Sequence, residues 1–269
     1  MRSGNIYELV DVMLKEITLF DDINKIDAAI YLLQHLEPGD GYYLAFSGGK
    51  DSVVCKALLE LSGVKYDAHY NVTTIDPPEL VWFIKQNHPD VIFERPKQPF
   101  LKEMVKRGFP QRQRRWCCEY LKERGGTGRL VVTGVRREES AKRAKRKCVE
   151  HCLKDTNKTY VNIIIDWSED DIWAFIKSNN IPYCKLYDEG WKRIGCLFCP
   201  MSGKMRKYEV DKYPKFKKLF IKSFEELYKK KKSEGKTSVD RWFNGEDMFN
   251  WWINENRKSI DPDQGVMFE

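Results

Sequence analysis

The stretch "YYLAFSGGKDSVVCKALLELSG", Tyr42 to Gly63, decides the fold. Tyr42 to Phe46 is a short apolar run and reads as a buried strand. Asp51 to Gly63 reads as a helix that stops at glycine. Between them stand Ser47, Gly48, Gly49, Lys50, Asp51 and Ser52. Glycines let a backbone approach an anion closely and turn its N–H groups toward it. The helix that follows adds its positive end. Ser47 and Ser52 offer hydroxyls, and Lys50 offers a charge. The spacing is not G-x-x-x-x-G-K-[ST], so this is not the loop of γ-phosphate hydrolases.

Outward from this stretch, helical and strand-like segments alternate. Upstream, Ile6, Leu9, Val10, Met13, Ile17 and Phe20 have helical spacing, and a second helix carries Ile23, Ile26, Ile30 and Leu33 on one face. Downstream, Lys65–Val72 reads as a strand, Pro77–Pro89 as a proline-bounded helix and Pro99–Gly108 as a short helix. Arg129–Val135 and Val161–Asp166 read as strands, and Ser168–Asn180 as a helix with Ser168 as its N-cap. This alternation predicts an α/β fold with an open, mostly parallel twisted sheet and flanking helices. Residues 205–258 read as helical and aromatic-rich, with no strand after Cys199. The expected division is N-terminal helices over 1–38, a core over 39–203 and a helical extension over 204–269.

The formal net charge of +7 is unevenly spread. Lys106 to Lys147 holds 15 Lys/Arg against 4 Asp/Glu, and Lys204 to Lys236 holds 13 against 5. Two basic regions on an otherwise acidic chain suggest polyanions, either nucleotide phosphates or nucleic acid. The run "KKKKSEGK", Lys229 to Lys236, reads first as solvated surface. No apolar run approaches the roughly 18 residues of a membrane span, and the first residues lack an apolar signal region. A soluble cytoplasmic protein with no membrane partner is the expectation.

Eight cysteines are many for such a compartment, where metal or redox use outranks disulfides. Cys117 and Cys118 are adjacent, and Cys196 and Cys199 form a C-x-x-C pair. Four thiolates in two pairs suit either a tetrahedral zinc or a four-iron cluster, and spacing alone does not choose. "VVTGVRREESAKRAKR", Val131 to Arg146, leaves a strand through Thr133 and Gly134 and opens onto Arg136, Arg137 and Arg143. Such forks at a sheet's carboxyl edge suit anionic ligands.

Together these motifs resemble the PAPS/APS reductase family of the adenine nucleotide α-hydrolase-like superfamily. "SGGKDS" resembles its PP-loop. Arg136, Ser140 and Arg143 take the matching positions of its arginine motif, TGxRxxxSxxR. The resemblance spans about residues 40–200 and implies nucleotide binding by Ser47 to Ser52, Thr133, Gly134, Arg136, Ser140 and Arg143. It also implies a [4Fe-4S] cluster on Cys117, Cys118, Cys196 and Cys199, with Lys122 beside it.

The resemblance fails at one place. The reductases carry a nucleophilic cysteine in a late Glu-Cys-Gly-(Ile/Leu)-His motif, and this sequence has no cysteine after Cys199. A thiolate is what that step needs. Cys148 and Cys152, flanking His151, are the candidate substitutes, whereas Cys55 and Cys184 read as packed. The first functional expectation is therefore an ATP pyrophosphatase that adenylates an acceptor during sulfur transfer, with Mg²⁺ and with Lys50, Asp51 and Arg136 as the working residues. Nucleic acid is a candidate acceptor, and a cysteine desulfurase or thioredoxin-type protein a candidate donor. The alternatives are a sulfonucleotide reductase that releases sulfite from APS or PAPS with a displaced cysteine nucleophile, and a non-catalytic cluster-bearing nucleotide sensor or DNA-binding subunit. A homo-oligomer is compatible with all three.

Overall fold

The computed structural model describes residues 24–152 and 157–254. The helix expected over residues 6–20 and the end of the C-terminal stretch lie outside them. The elements are α1 (Lys25–His35), β1 (Tyr42–Ala45), α2 (Lys50–Ser62), β2 (Tyr66–Asn71), α3 (Pro78–Asn87), β3 (Ile92–Glu94), α4 (Phe100–Arg107), α5 (Trp116–Leu121), β4 (Leu130–Val132), β5 (Val149–His151), β6 (Thr159–Val161), α6 (Glu169–Ser178), α7 (Met205–Lys212), α8 (Pro214–Ser233) and α9 (Gly245–Asn254). They form two compact units, one of Met1–Pro96 with Cys118–Gly195, the other of Lys97–Cys117 with Cys196–Glu269.

The first unit is an α/β layer structure. Its sheet runs β3-β2-β1-β4-β6-β5. Every pairing is parallel except β5 with β6. Strand β1 sits near the middle, and Tyr42, Tyr43 and Leu44 are all buried. A strand covered on both faces needs such a continuous apolar run. The chain leaves β1 toward β2 on one side and later adds β4 on the other. The crevice at the carboxyl ends of β1 and β4 is therefore the sheet's topological switch point, where open α/β sheets bind ligands.

Helices start where their residues dictate. Gly49 caps α2, and Gly63 ends it in the left-handed conformation. Ser168 caps α6 by accepting the Asp171 N–H, while the Asp171 carboxylate accepts the Ser168 N–H. One strand expectation is corrected. "VNIIID" does not continue as a strand, because β6 ends at Val161 and residues 163–166 turn. Asn162 breaks the ladder. Its side chain, fully buried, is held by the Thr133 hydroxyl and donates to the Lys147 carbonyl at 2.8 Å. Ile163, Ile164 and Ile165 are buried all the same, so the apolar run reflects burial in a turn. The short strands β3 and β5 have no counterpart in the sequence reading.

The second unit is helical among the described residues. Its core is aromatic. Phe220 stacks on Trp252 at 5.9 Å, Phe224 meets Phe249 at 5.6 Å, and Phe109 stacks on Phe224 at 5.5 Å. The Trp252 indole N–H donates to the Pro110 carbonyl at 2.7 Å, which satisfies its one polar atom.

Candidate functional site

The loop after β1 turns tightly into α2. Gly48 has φ +72, in the left-handed region that favours glycine. A Cβ there would come within 2.8 Å of Leu80 and Ile84 on α3. The loop thus lies on α3 with no room for a side chain. Inside it, the Ser47 N–H and hydroxyl both reach the Ser52 Oγ at 3.1 Å, and the Ser52 hydroxyl donates to the Gly49 carbonyl at 2.9 Å. These bonds fix the turn into α2.

Two charged side chains of the motif are already engaged. Lys50 is 4% exposed. Its ammonium donates to the Lys192 carbonyl at 3.1 Å and lies 3.4 Å from Glu169. Its backbone N–H donates to the Tyr187 hydroxyl at 2.9 Å. Burial pushes the Tyr187 phenol well above its ordinary range, so that oxygen stays a neutral partner. Asp51 pairs with the buried Arg136 guanidinium at 2.7 Å. Arg136 also reaches Glu138 at 3.0 Å and the Trp167 carbonyl at 3.3 Å. Gly134 permits this approach, since a Cβ there would sit 3.0 Å from Asp51 backbone and side-chain atoms.

Around this pair the arginines crowd. Burial and the neighbouring Arg193 charge push Arg143 below the usual arginine range. Arg146 and Arg136 push the same way, and Asp51 opposes them. Like charges brought together at a sheet's ligand-binding edge form a site that an anion would stabilise. Arg143 pairs with Glu139, and its N–H donates to the Ser140 hydroxyl at 3.3 Å. Ser140 thus turns the arginine segment and is itself exposed.

Beside the loop lies a crevice of about 110 Å³ lined by Ser47, His69, Asn71, Asp76, Lys122 and Gly195, among others. The turn at Thr73 shapes one wall. The Thr73 N–H and hydroxyl donate to the two Asp76 oxygens at 2.8 and 2.7 Å. Lys122 lies on this wall, and its carbonyl accepts from the Asn71 amide at 3.2 Å. His69 stacks on Tyr43 at 4.1 Å and binds Glu94 at 3.1 Å and also Asp67. Although burial pulls the Asp67 carboxyl upward, hydrogen bonds from Arg129 and His69 hold it below its ordinary value.

The structure therefore draws Ser47 to Ser52, Gly134, Arg136 and Arg143 together at one edge. Sequence reading missed Arg193, Tyr187, Glu169 and Asn162. Tyr187 lies 137 residues from the loop it braces, and no local signal marks it. The Thr73–Asp76 turn does carry a local signal, since threonine and aspartate before two prolines favour such turns.

The cysteines divide by chemistry. Cys55 and Cys184 are fully buried, as expected of packed residues. Cys148 precedes β5 at the ligand edge, but it is 3% exposed and its thiol faces the Asn162 carbonyl at 3.7 Å. Because β5 runs antiparallel to β6, Cys152 falls at the opposite edge of the sheet, bonded through its N–H to the Lys158 carbonyl. Neither thiol is presented at the loop.

Cys117 and Cys118 lie on α5, and Cys196 and Cys199 bound a tight turn, all four partly exposed. In that turn Phe198 has φ +59 and a buried ring. Two buried side chains of α7 grip its peptide groups. Glu209 accepts the Phe198 N–H at 2.5 Å, and the Arg206 guanidinium donates to its carbonyl at 3.1 Å. Four thiols are apt donors for zinc or iron. Yet among the described residues no three His, Cys, Asp or Glu side chains gather closely enough to hold a metal ion. The chemistry of the donors fits zinc or a cluster, Cys118 belongs to the first unit and Cys117, Cys196 and Cys199 to the second, and no step below is routed through either.

A parallel sheet with a glycine loop and arginines at its switch point defines a nucleotide-binding α/β protein of the adenine nucleotide α-hydrolase-like fold. Residues 41–202 match the phosphoadenosine phosphosulfate reductase domain, and the chain belongs to that family. An adenosine 5'-phosphosulfate reductase of Oceanobacillus iheyensis is 29% identical over 49% of this chain and 57% of its own. One from Neisseria meningitidis is 42% identical over 32% of this chain and 37% of its own. An uncharacterised protein of Methanocaldococcus jannaschii is 29% identical over 64% of this chain and 39% of its own. The chain spans about two fifths of the length of the first curated relatives it matches. The Candida auris phosphoadenylyl-sulfate reductase, solved as a phosphate complex, shares the fold with a TM-score of 0.53 at 17% identity, over 72% of this chain and 96% of that one. Among the described residues no helix is long and apolar enough to cross a membrane.

Proposed function

We propose that the chain binds an adenine nucleotide across the Ser47–Ser52 loop and the crevice beside it, and that it adenylates an acceptor during sulfur transfer. The observation that carries this reading is the loop itself, packed on α3 at Gly48 and joined to the sheet edge by the Asp51–Arg136 pair at 2.7 Å, with the Arg143 segment folded beside Arg136 through Glu139. Burial and the like charges of Arg193, Arg146 and Arg136 work against Arg143's charge, and an anionic phosphate would offset them. The Gly48, Asp51 and Ser52 N–H groups at the α2 N-terminus would hold phosphate oxygens. Asp51 is the carboxylate that would hold Mg²⁺, which would supply positive charge to the phosphates. An acceptor oxygen attacks the α-phosphorus of ATP, the bond to the β-phosphate's bridging oxygen breaks, and pyrophosphate leaves. The arginines would offset the charge that develops.

A sulfonucleotide reductase is the second reading, favoured by the relatives named for that activity. It requires a thiolate at the sulfur. Cys148 is buried and Cys152 lies at the far sheet edge, which weighs against both as that nucleophile. A [4Fe-4S] cluster on Cys117, Cys118, Cys196 and Cys199 belongs to either reading, on the strength of the four thiols alone. A sulfur or electron donor, of the desulfurase or thioredoxin type, would be needed as well.

The test is a purification without air, assay of iron and sulfide, and separate incubation with ATP and with APS or PAPS. Pyrophosphate from ATP supports adenylation. Sulfite from APS or PAPS, without pyrophosphate from ATP, overturns it. A zinc-loaded protein without sulfide overturns the cluster.

A further inference from the structure

The second unit carries a basic surface that its own fold does not neutralise. Residues 97–117 contain seven lysines and arginines against a single acidic residue, Glu103. Glu103 is buried and already spoken for, since it pairs with Arg107 at 2.8 Å and Lys106 at 3.4 Å. One side of the segment is tied to the helical core. Phe100 packs on Phe220 at 5.8 Å, Phe109 on Phe224, and the Lys230 ammonium donates to the Val105 carbonyl at 3.4 Å.

The other side is a turn of arginines. Gln111 and Arg114 exchange backbone hydrogen bonds at 3.1 and 3.2 Å, which closes Gln111–Arg114 into a tight turn. Arg112, Arg114 and Arg115 are exposed on it. Among the described residues none of these three guanidinium groups has an ion-pair partner, whereas Arg129, Arg137 and Arg146 each hold a carboxylate. The lysine run of α8 differs as well. Lys229, Lys230 and Lys232 pair with Glu225, Glu234 and Asp240. The run therefore sits at a helix C-terminus with its charge largely answered.

The same unit carries an exposed aromatic, linked to the turn through Trp242 and Phe109. Phe243 is 91% exposed. It follows Trp242, whose ring meets Phe109 at 6.1 Å, and Phe109 enters the arginine turn through Pro110. Arg241 covers Trp242 at 4.0 Å and Trp251 at 4.6 Å, which holds the residue before Phe243 in place. Unpaired guanidinium forks and a solvent-facing ring in the same unit match what a single nucleic acid strand offers, phosphates and unstacked bases. An acidic protein surface would use the charges and leave the ring unexplained.

We infer that Arg112, Arg114, Arg115 and Phe243 form a docking surface for single-stranded nucleic acid. The arginines take backbone phosphates, and Phe243 stacks on a base. The surface stands independently of the adenylation reading, because its test uses no ATP.

Binding of a fluorescent oligothymidylate to the full chain, followed by anisotropy over a series of salt concentrations, tests it. Wild type should bind in low salt, and its affinity should fall as salt rises. The R112A/R114A/R115A variant should lower the slope of log K against log salt by about 2, from roughly 0.7 per lost phosphate contact. Phe243→Ala should weaken binding roughly 5- to 150-fold and leave the slope unchanged. K229A/K230A/K232A should leave the slope as in wild type. All replaced side chains are at least partly exposed, and unchanged urea midpoints would establish that the variants fold. Absence of binding by wild type in low salt overturns the inference. So does a triple-arginine variant with the wild-type slope, or displacement of the oligonucleotide by poly-glutamate at equal charge concentration, which would assign the surface to an acidic protein.

Discussion

Replacing Gly48 by alanine measures how tightly the anion loop is seated. Two costs combine. At φ +72 an alanine pays the left-handed penalty, about 1–2 kcal/mol. Its Cβ would also stand 2.7 Å from the Ile84 Cδ1 and 2.8 Å from the Leu80 Cδ1. Those side chains are 0% and 3% exposed, so neither can swing into solvent, and overpacking of this kind costs about 1–3 kcal/mol. The lost chain entropy of glycine in the unfolded state returns about 0.4–1 kcal/mol. The sum is a destabilisation of about 1–5 kcal/mol. Gly63 supplies the internal control, with φ +70 and nothing within 4 Å of the place a Cβ would take. Gly63→Ala should therefore carry only the backbone part, about 0–1.6 kcal/mol. Urea denaturation of the two variants gives the difference, with equal m-values required. If Gly48→Ala costs no more than Gly63→Ala, the loop is not packed on α3 as described.

Three further outcomes are expected. Tyr187→Phe removes the acceptor of the Lys50 N–H at the start of α2, and should cost about 0.5–1.5 kcal/mol in stability and weaken ATP binding measured by calorimetry. Glu209, pushed up to about 7 by burial, stabilises the fold below about pH 4.5, and that contribution of up to about 3 kcal/mol is lost as pH rises to about 7. Glu209→Gln should flatten the fall in urea midpoints over that window. His88, pushed down to about 4 by burial between Phe46 and Phe83, contributes stability above about pH 6.5 that is lost as pH falls toward 4, and His88→Leu should remove that acid-side loss.

What the sequence made legible follows from the range of the interactions involved. The β1 strand, the glycine loop and α2 are contiguous, and each is specified by its own residues. The helix boundaries at Gly63, Pro78 and Ser168 follow from local capping chemistry. The misreading at Val161–Asp166 has a different origin. An apolar run of that length serves a strand or a buried turn equally, and Asn162 decides between them through contacts with Thr133 and Lys147. The short edge strands β3 and β5 have only three residues each, too few for periodicity to register. In the site, the motif residues of the loop were visible because glycine and charge cluster in sequence. Tyr187, Glu169 and Arg193 were not, since they reach the loop only through the fold. The crowding around Arg143 is likewise a property of space.

The reading of the site turns on whether the loop and the arginines around it bind a nucleotide. Calorimetric titration of ATP into wild type and into the R143A/R193A variant measures this. Wild type should bind saturably, and the variant about tenfold or more weakly, since hydrogen bonds to charged groups are each worth about 1.5–3 kcal/mol. Equal affinity in the two proteins, or no binding by wild type, would contradict it.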